Sequence, residues 1–140
     1  MKARQLSLLI ATMIVMSACN NPLSDLLNPA APSTGSATTD TFNGTLTPNG
    51  SLLFTFVVAN AGSVAVTLTA VSPATTGALG LGVGPSTNGT CTIANSTSAA
   101  IAGGSPQLSA TENAGSYCVK VTDAGSLTTA SAVTVTVTHS

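Results

Sequence analysis

Aromatic side chains are nearly missing from the 140-residue chain: tryptophan is absent, and one tyrosine stands beside three phenylalanines. A stacking platform for sugars needs exposed rings, and Phe42 and Tyr117 are the candidates to supply them. Charge is as scarce, at 5% of residues. Lys2 and Arg4 lie near the N-terminus, so Lys120 is the one cation downstream, against Asp25, Asp40, Glu112 and Asp123. Binding phosphates takes clustered Lys and Arg, which excludes nucleic acid as a partner. Calcium takes about six to eight oxygen ligands, more than so few carboxylates provide. The single histidine, His139, is the penultimate residue. A general base must be held rigidly and chain ends fray, so no Ser-His-Asp triad is expected. The glycine-rich Gly80-Leu81-Gly82-Val83-Gly84 has no helix after it to receive a phosphate. Neither a metal nor any other cofactor is expected, and the chain reads as non-catalytic. No apolar run beyond residue 19 is long enough to cross a bilayer.

What is present begins with an export signal. Lys2 and Arg4 form a short positive region, and Leu6 to Met16 is an apolar run too short to span a membrane as an ordinary helix. Met16-Ser17-Ala18-Cys19 follows, small residues and then a cysteine. This resembles the lipobox of bacterial lipoproteins, with Met16 where that motif most often has leucine. The resemblance implies cleavage after Ala18 and a diacylglycerol thioether on Cys19, usually with an N-acyl chain. Two or three acyl chains anchor stably, each buried methylene contributing about 0.8 kcal/mol. Residues 1–18 are then a lipoprotein signal peptide, and residues 19–39 an acylated cysteine with a tether. Three prolines among Ser, Thr, Ala and Asn over residues 20–40 favour an extended spacer. Asn20 lacks the aspartate that marks inner-membrane retention in some diderm bacteria, so the resemblance leans towards the outer membrane or cell surface.

With Cys19 acylated, Cys91 and Cys118 remain as a pair in an oxidising compartment. A disulfide is expected between them. The rival, a zinc site, would have only these two cysteines and the distant His139 as ligands, which is not a zinc set.

Residues 40–140 read as one domain. Ala114 to Asp123 is a strand whose Tyr117, Val119 and Val121 alternate with Cys118, Lys120 and Thr122. Further strands are expected at Thr41–Thr47, Ser51–Ala59, Ser63–Val71, Ala78–Val83, Thr90–Ala94, Gln107–Thr111 and Ala132–Thr138, with a short one at Ala99–Ala102 in an otherwise polar loop over residues 95–106. Ser51–Ala59 is apolar on both faces, through Leu53 and Val57, and so reads as a central strand in a hairpin with Ser63–Val71. Gly80 and Gly82, alternating with Leu79, Leu81 and Val83, mark close approach of another backbone. Asn43, Asn49, Asn88 and Asn95 match the glycosylation sequon, but in a bacterial lipoprotein they most simply mark turns. About eight strands without an amphipathic helix predict an all-β, antiparallel β-sandwich. Glu112 and Asp123 read as solvated turn residues. Tyr117 reads as a core residue with its hydroxyl at the edge. Tyr117 and Asp123 are also the candidate ligand contacts.

The strand and turn residues Phe42-Asn43-Gly44-Thr45-Leu46, Phe54-Thr55-Phe56, Ala61 to Leu68, Gly115 to Gly125 and Val133 to His139 resemble the bacterial pre-peptidase C-terminal domain. That family implies a small jelly-roll-like sandwich on secreted peptidases and other exported proteins, some of which bind calcium or attach to polymeric substrates. The resemblance lies in strand and turn residues, and no peptidase precedes the domain in this sequence. The expected role is therefore a lipid-anchored accessory module of the cell envelope, held to the membrane by its acylated end and binding a surface protein or a polysaccharide. The alternatives are a carbohydrate-binding module proper and an envelope spacer without a specific ligand.

Overall fold

A computed structural model describes residues 35–140. The expected signal peptide, the acylation of Cys19 and most of the tether lie outside the described residues.

The described chain is an all-β sandwich of two antiparallel sheets, without a helix. Nine strands follow in order: β1 Thr38–Leu46, β2 Ser51–Val58, β3 Gly62–Ser72, β4 Leu79–Thr87, β5 Thr90–Cys91, β6 Asn95–Ala100, β7 Leu108–Glu112, β8 Gly115–Thr122 and β9 Ser131–His139. One sheet runs β1-β9-β3-β7; the other runs β2-β8-β4-β5, with β6 also paired to β4. Alternation along each strand places one side chain in two between the sheets. Val133, Val135 and Val137 of β9 meet Val64, Val66 and Leu68 of β3 on one side of the core, and Val119, Val121, Leu79, Leu81 and Val83 fill the other. Each such burial contributes about 1.5–3 kcal/mol.

The expected hairpin between β2 and β3 does not form. β2 pairs with β8, from Ser51 opposite Thr122 to Val58 opposite Gly115, while β3 lies in the other sheet between β9 and β7. The physical reason lies in the connection. Ala59, Asn60 and Ala61 include no residue at positive φ, whereas Asn88 (φ 51°) and Gly89 (φ 77°) are both positive and close a tight hairpin from β4 to β5. The connection bends at Asn60 and Ala61 and is held by the Ser140 carbonyl, which accepts from Ala59 N–H at 3.0 Å and Asn60 N–H at 3.3 Å, as the chain passes to the other sheet. β2 is accordingly an edge strand rather than a central one, and Leu53 and Val57 are 47% and 62% exposed.

The strand expected over Thr90–Ala94 ends at Cys91, and within the loop expected over residues 95–106 the strand is β6, Asn95–Ala100, rather than Ala99–Ala102. Residues 92–94 bulge between the two, with Thr92 N–H donating to the Pro85 carbonyl and Ala94 N–H to the Val83 carbonyl, both at 3.0 Å. Of the four sequon asparagines, Asn49 and Asn88 hold positive-φ turn positions, while Asn43 and Asn95 sit in β1 and β6.

Candidate ligand-binding groove

The bulge after β5 shapes the outer face of the β2-β8-β4 sheet. Cys91 and Cys118 form a disulfide with their Cα atoms 5.8 Å apart, which fastens the bulge to β8. Beneath it β4 must be bare. A Cβ on Gly84 would collide with the Thr92 carbonyl oxygen, and one on Gly82 would lie 2.9 Å from Ile93 Cγ2. The close backbone approach expected at Gly80 and Gly82 is found at Gly84 instead, while Gly80 and Gly82 are met by the side chains of Thr122 and Ile93.

Past the bulge the outer face opens into a groove of about 420 Å³. Gly80 and Gly82 form its floor, Lys120 and Thr122 one wall, Ser96 and Ser98 the other, and Ile93 one end. Registry explains the arrangement: Gly82 lies between Lys120 on β8 and Ser96 on β6, and Gly80 lies opposite Thr122. Two missing side chains in β4 make room for their neighbours, with Ile93 over Gly82 and the Thr122 hydroxyl over Gly80. Among the described residues Lys120 has no ion-pair partner, and no carboxylate lines the groove. The groove offers one ammonium, several hydroxyls that both donate and accept, and a single apolar contact.

The two candidate contacts lie elsewhere. Tyr117 is only 7% exposed, its ring tilted against Phe56 with centroids 5.9 Å apart. Burial, together with the neighbouring Glu112 carboxylate, raises its phenol above the ordinary tyrosine range. Asp123 is 6% exposed rather than solvated. Its Oδ2 accepts from Asn49 N–H at 2.8 Å, and its Oδ1 accepts from Ser126 N–H at 2.8 Å and Leu127 N–H at 3.1 Å. Burial pushes its pKa up, but the N–H groups of Asn49, Ser126, Leu127 and Gly125 outweigh that and hold it below the usual aspartate value. The carboxylate is committed to joining the β1–β2 turn to the loop after β8.

His139 does not fray. It ends β9 at 5% exposure, its ring against Phe56 and its Nε2 3.1 Å from Asp40 Oδ2. The other ring nitrogen faces the Ser140 main-chain oxygen at 3.4 Å. Among the described residues no hydroxyl is hydrogen-bonded to this imidazole.

Sequence reasoning finds Lys120 only as the lone cation and leaves Ser96 and Ser98 in a loop. The usable signal is Asn88-Gly89: a two-residue turn there folds the following residues back along β4, which brings the serines beside Gly82. The chain matches no family model and no curated protein.

Proposed function

We propose that this chain is an exported, lipid-anchored, non-catalytic module of the bacterial cell envelope whose groove binds an acidic polysaccharide. The observation that carries the reading is Lys120, an unpaired ammonium among the described residues, standing over a glycine floor between hydroxyl-bearing walls. A sugar acid presents a carboxylate for the ammonium and ring hydroxyls for Thr122, Ser96 and Ser98. Ile93, over Gly82, offers the apolar contact where no aromatic ring is available to stack. The resemblance to the pre-peptidase C-terminal domain supports an accessory role, and the lipobox-like Met16 to Cys19 supports the anchor.

Thermal unfolding with polygalacturonate and with neutral dextran tests the reading. A ligand at about 100 times its dissociation constant adds about 2.7 kcal/mol, a rise of several degrees in Tm for a domain this size. The expected result is a rise with the acidic polymer only, lost in Lys120→Gln. No rise with either polymer would leave the spacer reading, and an equal rise with both would assign the site to neutral glycans.

A further inference from the structure

We propose that β2 is a self-association edge, along which two copies of this chain join by antiparallel β2–β2 pairing about a two-fold axis through Thr55. Among the described residues β2 is bonded to β8 alone, so alternate backbone N–H and C=O groups along its other side face no other described strand. Native edges are commonly blunted by charge, proline or a bulge. Ser51-Leu52-Leu53-Phe54-Thr55-Phe56-Val57-Val58 carries none of these devices. The other edges are different: β1 contains Asp40 and Asn43, β7 ends in Glu112, and β6 is polar with an irregular register.

The occupant is read from the strand itself. About Thr55 the sequence is a mirror in side-chain class: Phe54 answers Phe56, Leu53 answers Val57, and Leu52 answers Val58. An antiparallel two-fold places those residues opposite one another, the self-complementarity an isologous contact requires. Exposed Leu53 then lies across from the partner copy's Val57 on the outer face. On the inner face Phe54, stacked on Phe42 at 5.1 Å and only half-buried, is covered together with Leu52. A one-residue slip would set inward residues against outward ones, so the mirror also fixes the register.

Charge does not oppose the contact. The nearest cation is Lys120, across β8 from Leu53. Three strand spacings and four residues separate it from its mate, roughly 20 Å, which is beyond two Debye lengths at physiological ionic strength. The seven residues Leu52 to Val58 then pair, a seam about 24 Å long. Two sheets deep, it covers on the order of 1,000 Å² in total, the size of a weak, reversible interface.

The test uses the full chain with Thr55→Cys, run on a non-reducing gel after extraction, beside Leu53→Cys. Thr55 meets its own mate at the axis, whereas the two Leu53 positions lie about 13 Å apart. The expected result is a covalent dimer for Thr55→Cys and none for Leu53→Cys. Sedimentation of the detergent-solubilised wild type is expected to show a dimer that dissociates on dilution and is lost in Val57→Lys. Unchanged thermal unfolding of Val57→Lys would show that the variant folds. A wild type that stays monomeric, a dimer that survives Val57→Lys, or equal cross-linking of both cysteine variants would each overturn the proposal.

Discussion

The two outer faces of the sandwich are made from the same alternating strands and yet differ in kind. The face of β1, β9 and β3 is a ladder of short polar side chains that satisfy one another. Thr39 and Thr138 share a hydrogen bond at 2.9 Å, and Thr134 donates to Asn43 at 2.8 Å. It has no missing side chains and no large apolar group. The face of β2, β8 and β4 has glycines, a cross-linked bulge, a lysine without an ion-pair partner among the described residues, and three exposed aliphatics, Leu53, Val57 and Ile93. Threonine on the first face follows from β-propensity. The departures from regular alternation gather on the second, which is where the proposed ligand and the proposed second copy would sit.

Breaking the second face should cost far more than altering the first. The largest loss is expected from Cys91→Ser with Cys118→Ser, because the bridge closes a separation of 27 residues and contributes about 3–4 kcal/mol. Urea unfolding with and without reductant measures it, and coincident midpoints would show that the bulge holds without its cross-link. Next comes Gly84→Ala, whose methyl meets the Thr92 carbonyl backbone. Overpacking of this kind costs about 1–3 kcal/mol, and a neutral result would mean that the bulge can lift away freely.

Asp123 sharpens the comparison because it serves both faces, tying the turn that leaves β1 to the loop that leaves β8. Its depressed pKa gives stability that is full above the ordinary aspartate value of about 3.9 and is lost as pH falls through the folded pKa. Tyr117 has the opposite sign of shift: its contribution is full below about pH 10 and is lost as pH rises beyond it. Asp123→Asn should therefore flatten the acid limb of a urea-midpoint profile and leave the alkaline limb in place. An unchanged acid limb would move the titration to another group. The smallest effect is expected from Thr136→Ala on the polar ladder, within about 0.5 kcal/mol. A larger loss would mean that the ladder is cooperative.

Much of the sandwich is legible in the residues. The period-2 runs of β8 and β9 announce their buried faces, and Asn88-Gly89 announces the one tight hairpin. What alternation does not encode is which sheet a strand joins, since a hairpin and a crossing loop bury the same face. That is why β2 reads as the neighbour of β3. Two-sided apolar character likewise cannot separate a central strand from an edge awaiting a partner, so Leu53 and Val57 mislead in isolation. The groove depends on β6 lying beside β4, and β6 is too polar and small to announce itself as a strand. Asp123 is visible as a turn residue, but its burial follows from the meeting of two distant turns.

The course of β1 has a mechanical consequence. The chain enters the domain at Thr38, opposite His139, while Gly80 and Thr122 of the groove lie at the other end of the sandwich, beside the turn that begins β2 at Ser51. On the proposed function, a pull between the anchored N-terminal end and a polymer in the groove would run along the strands. All nine residue pairs joining β1 to β9 would be sheared together, because antiparallel bonds stand perpendicular to the strands, instead of being peeled apart one by one. Such a domain resists load along its long axis and yields first to a force applied across it.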